Sequence, residues 1–445
     1  MNQPGSSTAT GTATTDVTTL DQIYQEILTS TDPAALRDKL QSAARNEKEV
    51  ILSRPLSNGQ DPLAILDPET HTLGCLYILC ARLAPNATYP PSLVVIEEFC
   101  KRFTPEHARL APDRMTALAK GITRVALSSN NLKYALSPLY YLVTRYPPNL
   151  SILTTLHSHY LTTCVTLRHF TAALPILSVP ITNVDLRISD LTYNDNLVYH
   201  YAGGVALAAL KRWHEAEEFF EICATAPGTA PAAIQYEALK KLTLVQLILY
   251  GKTKQTPKYT HAILTRLLKS SPYGNLARAY PLPTDQLTKQ IQKDAEVFNT
   301  EKNWGLVQQV IDHAPRWLIH KLTSTYLTLG LADIAREIGS ASQDEVRATI
   351  VSMIETGDIN ASISVDGTVT FSDPVFNVTK SDIDSALHHA QAQSRLLLDL
   401  ERTLTSSKEY LAKALKHKDN DGWGPDDDND GLGGPPSSFA WGDYL

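Results

Sequence analysis

No run of 18 or more apolar residues occurs anywhere in these 445 residues, so the sequence offers no helix able to cross a membrane. Cysteine is scarce. Cys75, Cys80, Cys100, Cys164 and Cys223 are odd in number and irregularly spaced, which argues against a disulfide framework. They read as reduced thiols in core helices, hence a cytosolic or nuclear protein. A basic excess is also missing: 40 Lys and Arg face 47 Asp and Glu, a net charge of −7. Binding to phosphate backbones needs the opposite balance. The first 19 residues, rich in Thr, Ser, Gly and Ala, lack the basic start and apolar middle of a secretory signal and read as a disordered leader.

Catalytic signatures fail when their spacing is checked. Gly251-Lys252-Thr253 ends like a phosphate-binding loop, but the glycine needed five residues earlier is replaced by Gln246. Asp426, Asp428, Asp430 and Gly431 imitate half of a calcium loop whose twelfth position is Ser437 and not a bidentate Glu. His388-His389 have no Cys or carboxylate at ligand spacing. No Gly-x-Ser-x-Gly elbow occurs. The expectation is a chain with no catalytic set, no metal and no cofactor.

What is present begins with a compact pattern over residues 315–373. Trp317, Leu318, Leu322 and Tyr326 recur at helical spacing. Leu331, Ile334, Ala335 and Ile338 form a second apolar face, closed by Gly339, which suits the left-handed residue after a helix. Ser342 and Glu345 form a capping box ahead of Val346, Ile350, Met353 and Ile354. Ile359, Ala361 and Ile363, then Val369 and Phe371, alternate as two strands around Asp366-Gly367. Three short helices and a hairpin make a winged helix. A three-residue loop, Val365-Asp366-Gly367, pairs Ile363 with Val369 and Ala361 with Phe371, which keeps one face apolar and places Gly367 at positive φ. The third helix carries Asp344, Glu345 and Glu355 against Arg347. This favours protein docking over nucleic-acid reading.

Upstream, 20–196 reads as stacked helix pairs punctuated by proline. Gly204, Ala216 and Phe220, with Trp213 between them, have the small, small, aromatic spacing of a tetratricopeptide-type pair. Leu161, Ala173 and Leu177 suggest a degenerate copy. A broadly apolar helix at Tyr236–Leu249 is expected to be buried on several sides. Further helices are expected at 258–269, 283–299 and 303–314, with Asp294, Glu296 and Glu301 on a solvated face.

Several segments carry a family likeness: Tyr199-His200-Tyr201-Ala202-Gly203-Gly204, the run from Glu237 to Lys252, Pro257-Lys258-Tyr259-Thr260, Trp304-Gly305-Leu306-Val307 and Met353 to Ile359. Over Tyr199–Asp373 the chain resembles the subunit-three family of the COP-nine signalosome, a branch of the PCI-domain proteins, which also serve the proteasome lid and a translation initiation factor. The resemblance implies a mainly α fold: a helical-repeat arm of TPR or HEAT type at 20–196, a PCI domain at 197–373 (helical part 197–314, winged helix 315–373), then a long C-terminal helix. It implies a non-catalytic scaffold in a cytoplasmic and nuclear hetero-oligomer. The partners would be other PCI subunits and, through the complex, a zinc isopeptidase and the cullin-RING ligases from which it removes a ubiquitin-like modifier. No direct nucleic-acid or membrane partner is implied. His157-Ser158-His159 has the His-x-His of such an isopeptidase, but Leu167 and Phe170 stand where its Ser and Asp belong, so both histidines are expected on a helix surface.

From 380 to 418 an amphipathic helix carries Ile383, Leu387, Leu397, Leu400, Leu404, Leu411 and Leu415 in one stripe that wants partner helices. Together with Ile359, Ala361, Ile363, Val369 and Phe371, these are the expected subunit contacts. The acidic Gly- and Pro-containing segment 419–445 reads as a disordered tail.

Overall fold

The computed structural model describes residues 20–42, 45–85, 87–340, 342–373, 379–408 and 410–412. The leader, the tail and Leu415 lie outside them. The arm contains α1 (Leu20–Thr29), α2 (Pro33–Ser42), α3 (Arg45–Leu52), α4 (Pro62–Ile65), α5 (Thr72–Arg82), α6 (Leu93–Arg102), α7 (Pro105–Ala108), α8 (Pro112–Ser128), α9 (Leu136–Arg145), α10 (Thr155–Thr166), α11 (Phe170–Leu177), α12 (Tyr193–Ala209), α13 (Trp213–Thr225) and α14 (Ala233–Tyr250). It continues through α15 (Ala262–Ser270), α16 (Pro272–Ala279), α17 (Thr284–Lys293) and α18 (Ala295–Thr300) into α19 (Trp304–Thr323). Then come β3 (Thr328–Gly330), α20 (Leu331–Ile338), α21 (Gln343–Glu355), β4 (Asn360–Ile363) and β5 (Thr368–Ser372). A short parallel pairing that the sequence pattern did not suggest, β1 (Ile152–Leu153) with β2 (Asn183–Val184), joins two arm loops.

The arm is a solenoid. α5 packs on α8, α8 on α10, α10 on α12 and α12 on α14, each contacting its neighbour in the stack. One apolar core runs from Leu20 to Leu264. The expected small-residue contact is there: a Cβ on Gly204 would meet the Phe220 ring at 2.8 Å, so α12 and α13 approach only because that Cβ is missing. Leu161 and Ala173 of the second expected pair are fully buried, and Leu177 is 6% exposed.

One turn recurs between helices. Asn130, Arg168, Lys211 and Lys302 adopt φ of 51°, 58°, 59° and 57°. In each, the next residue's N–H reaches back five positions: Asn131 to Ala126, His169 to Cys164, Arg212 to Leu207 and Asn303 to Phe298, at 2.9, 2.9, 3.0 and 2.9 Å. These are Schellman closures, which use carbonyls left over at a helix end. The next helical segment starts one residue later, at Leu132, Phe170, Trp213 or Trp304.

α14 is buried on several sides, as its composition implied. Leu239, Leu242 and Val245 belong to the arm core, while Leu244, Leu247 and Ile248 belong to a second core with Tyr273, Leu287, Phe298 and Val310. α19 is shared in the same way, with Ala314 in the second core and Ile319 in a third, the winged-helix core. The expected helix ending at Ala314 is corrected here: α19 runs unbroken through Pro315 to Thr323. Proline removes one backbone hydrogen bond, and packing on both sides holds the helix through that gap. The expected single helix at 283–299 is two, divided at Asp294.

Candidate interaction surfaces

The wing has the expected register, with Ile363 opposite Val369, Ala361 opposite Phe371 and Gly367 at φ +82°. The sheet is three-stranded where two strands were expected. β3 pairs antiparallel with β5, giving the order β3-β5-β4. The pairing involves Leu329 opposite Val369, and Tyr326 lies between α19 and β3 and not on a helix. β5 is thus paired along both sides, and β4 forms an edge. The Ser364 N–H donates to the Thr368 carbonyl at 2.8 Å. By antiparallel alternation, Ala361 and Ile363 then turn their backbone groups to the open side.

The side chains tell a different story from the expectation. Ile359, Val369 and Phe371 are buried with Ile319, Leu331, Ile334 and Ile350 in the module's own core. Those three side chains are closed to the surface, whereas the outer backbone edge of β4 is open. Ala361 and Ile363 are half-buried against the same core. On α21 the exposed residues include Asp344, Glu345, Arg347 and Glu355, a surface that repels phosphate. Ser342 caps α21 by accepting from the Glu345 N–H at 3.3 Å, while the Glu345 carboxylate accepts from the Ser340 hydroxyl at 3.2 Å, so the expected box is only half made.

The segment from Asp373 onward is a separate unit. Its helix α22 spans Lys380–Ser406, capped by Thr379 and Asp382, and none of its residues is buried. Ile383, Leu387, Leu397, Leu400 and Leu404 are each half or more exposed. Leu396 and Leu398, not anticipated as part of the stripe, are equally bare. The expected unbroken helix to 418 stops at Ser407, whose ψ of 140° is extended. A short helical segment with Leu411, 47% exposed, follows the break. Ser407 accepts from the Tyr410 N–H at 3.2 Å, so the serine at the break caps the next turn.

Two family models match the chain. One, described as COP9 signalosome complex subunit 3, N-terminal helical repeats, covers residues 36–264. The other, the PCI domain, covers residues 277–373. The chain belongs to the COP9 signalosome subunit 3 family. Two relatives of that name are similar to it along most of their length. The Dictyostelium discoideum protein is 29% identical over 373 residues, covering 80% of this chain and 88% of the relative. The Drosophila melanogaster protein is 29% identical over 398 residues, covering 83% and 89%.

In this COP9 signalosome subunit 3 family member, the repeat match ends at 264, beside the last residue of the arm core. Besides the second apolar core, two polar links among the described residues cross from the repeat stretch to the PCI stretch. The first is Trp317, whose indole N–H donates to the Ile248 carbonyl at 3.0 Å. The second is a buried ionic cluster. Lys240, 2% exposed, lies 2.5 Å from Glu237 and 2.9 Å from Glu301, and 4.6 Å from the Tyr236 ring centroid. Tyr273 donates to Glu301 at 2.7 Å and Asn303 to Tyr273 at 2.6 Å. Burial alone would raise the Glu301 carboxyl, but the hydrogen bonds from Lys240 and Tyr273 outweigh it and hold it below its ordinary value. The expectation that Glu301 sits on a solvated face is therefore corrected. Adjacent Lys241 is pushed down to about 8 by burial, with Glu237 opposing that shift.

His157 corrects a second surface expectation. It is fully buried, and its Nδ1 accepts from the Thr154 N–H at 3.2 Å, filling the N3 role of a capping box for α10. Nε2 then carries the proton and has no hydrogen-bond partner among the described residues. Burial pushes this histidine down to about 4, against the raising effect of Thr154. The five cysteines, odd in number and irregularly spaced, are free and buried. Among the described residues no three His, Cys, Asp or Glu side chains gather as metal ligands would, and no helix is long and apolar enough to span a membrane.

Proposed function

We propose that this chain is a non-catalytic scaffold subunit of the COP9 signalosome, acting in cytoplasm and nucleus. Its contacts with other PCI subunits run through the free edge of β4 and the apolar stripe of α22. The observation that carries this reading is α22 itself. Exposed leucines on a helix with no buried residue gain about 1.5–3 kcal/mol each only when something covers them. The stripe Ile383, Leu387, Leu397, Leu400 and Leu404, with Leu411 on the short segment after Ser407, supplies that surface for partner helices, and Ala361 and Ile363 present backbone groups for an added strand. Residues 20–196 serve as the N-terminal repeats, 197–373 as the PCI domain (the last helices of the arm, 197–314, and the winged helix, 315–373) and 380–418 as the assembly segment. Removal of the ubiquitin-like modifier from cullin-RING ligases belongs to the assembly's zinc isopeptidase, which this chain helps to position.

A tagged pull-down from native extract, read by mass spectrometry, tests this. Recovery of several PCI chains and a zinc isopeptidase, with cullin-demodifying activity in the eluate, supports it. Recovery of proteasome-lid or ribosomal components, or of the chain alone, overturns it.

A further inference from the structure

The chain holds four Ser-Pro or Thr-Pro dipeptides, at Thr104, Ser137, Thr256 and Ser271. Three of the hydroxyls are committed. Thr104 lies at the N-cap of α7 and donates to the Glu69 carbonyl at 2.7 Å. Ser137 sits in α9 and donates to Glu97 at 3.0 Å. Ser271 caps α16, is 9% exposed and donates to the Leu268 carbonyl at 2.7 Å. Thr256 differs in its backbone setting and in its hydroxyl. It is half-buried in the irregular segment between α14 and α15, and its hydroxyl makes no hydrogen bond with any described residue. Pro257 biases Thr256 toward an extended backbone, the shape in which a kinase cleft takes a substrate strand.

The surroundings suit a phosphate. Thr256 lines a cavity of about 510 Å³ together with Lys254, Lys269, Arg278 and, as the one carboxylate, Glu221. Lys254 is already engaged, 2.9 Å from Glu217. Among the described residues, Lys269 and Arg278 have no carboxylate partner; Arg278 donates only to the neutral side chain of Asn275. Two unneutralised cations therefore share a cavity with an unbonded hydroxyl that precedes proline.

We propose that Thr256 is a phosphorylation site for a proline-directed Ser/Thr kinase, with the phosphate held by Lys269 and Arg278. In the reaction Thr256 Oγ1 attacks the γ-phosphorus of ATP. The Oγ1–P bond forms, the bond to the β-phosphate oxygen breaks, ADP leaves and the hydroxyl proton passes to the kinase's carboxylate base. The dianion makes charge-assisted hydrogen bonds that fasten the 251–260 segment onto α15 and α16.

The test uses the full chain, a purified proline-directed kinase and Mg-ATP, with the product mapped by fragmentation mass spectrometry. One phosphate on Thr256, absent from Thr256→Ala, is expected, with Thr104, Ser137 and Ser271 unmodified. Phosphorylation should raise the thermal midpoint by roughly 2 °C, and Lys269→Ala with Arg278→Ala should abolish that rise while leaving modification intact. No phosphate at Thr256, or phosphate on the other three sites instead, overturns the site. A midpoint that rises equally in the double variant, or falls in the unsubstituted chain, overturns the cation pair as its receiver.

Discussion

The indole N–H of Trp317 and the carbonyl oxygen of Ile248 are 3.0 Å apart, and the indole ring lies against Gly251 at φ +66°. A Cβ on Gly251 would stand 2.7 Å from that ring. Gly251→Ala therefore adds backbone strain to a clash and should cost roughly 2–4 kcal/mol. Trp317→Phe keeps most of the packing and should cost about 1 kcal/mol. Urea unfolding of the full chain checks both; equal losses would show that the ring does not press on Gly251.

Lys240→Met removes the near cation of Glu301, leaves Glu237 only Lys241 at 3.8 Å, and should destabilise by roughly 2–3 kcal/mol. The Glu301 contribution has a clear sign. Its carboxyl is held below 4.5, so the stability it adds is full above that pH and is lost as pH falls through the folded value. Acid titration of Lys240→Met should show a shallower loss of stability than the unsubstituted chain.

Lys241 acts in the opposite pH range. Between about 8 and 10.5 the unfolded chain holds a proton that the folded chain has shed, so this residue makes stability climb with pH. The buried thiols, raised from 9.0, pull the other way above that value. The clean comparison is pH 8 to 9, where the unsubstituted chain should gain about 1 kcal/mol relative to Lys241→Met. Parallel curves would sink the idea that Lys241 stays buried.

His157 is depressed from 6.5 to about 4, so the stability tied to its neutral form is complete above 6.5 and drains away down to about 4. His157→Gln keeps an acceptor for the Thr154 N–H and removes the titration. Between pH 6.5 and 4.5 the unsubstituted chain should lose about 2 kcal/mol more than this variant, which keeps the losses from His159, His200 and Glu301. Chemical denaturation at stepped pH gives the answer.

The proposed contacts at the open edge and the leucine stripe can be tested apart from the fold. Ala361→Pro removes an outward N–H and leaves the β5 ladder alone, so association with PCI neighbours should weaken roughly tenfold or more with the helical signal unchanged. Changing Leu397, Leu404 and Leu411 to Asp should release the chain from its complex while the isolated protein stays folded. Unfolding of the isolated triple variant would mean that the stripe packs within the chain.

Where apolar spacing and turn chemistry agreed, the sequence was enough to place structure. The hairpin register followed from keeping Val369 and Phe371 on one face, and Gly339 closed α20 with φ +76°. What stayed hidden depended on partners distant in sequence. β3 is three residues long and is stabilised by β5, forty-two residues downstream in register at Thr328 and Thr370, so no local alternation betrays it. Glu301 reads as a solvated carboxylate until Lys240 is brought beside it. His157 reads as polar until Tyr199 and the α10 cap enclose it. One local signal was present and unread: Lys211-Arg212-Trp213 and Lys302-Asn303-Trp304 repeat a left-handed residue two places before an aromatic helix start. Without glycine there, composition alone does not advertise the turn.

The unbroken passage of α19 through Pro315 has a consequence for the order of folding. Starting a helix is the costly step, and extending one already begun is cheap. Val307 and Val310 wind the first half of α19 into the second core, so the winged helix receives its opening helix as an extension. During synthesis that half emerges before any strand of the wing exists. Damage that frays α19 near Val310 thus reaches Phe371 without touching it.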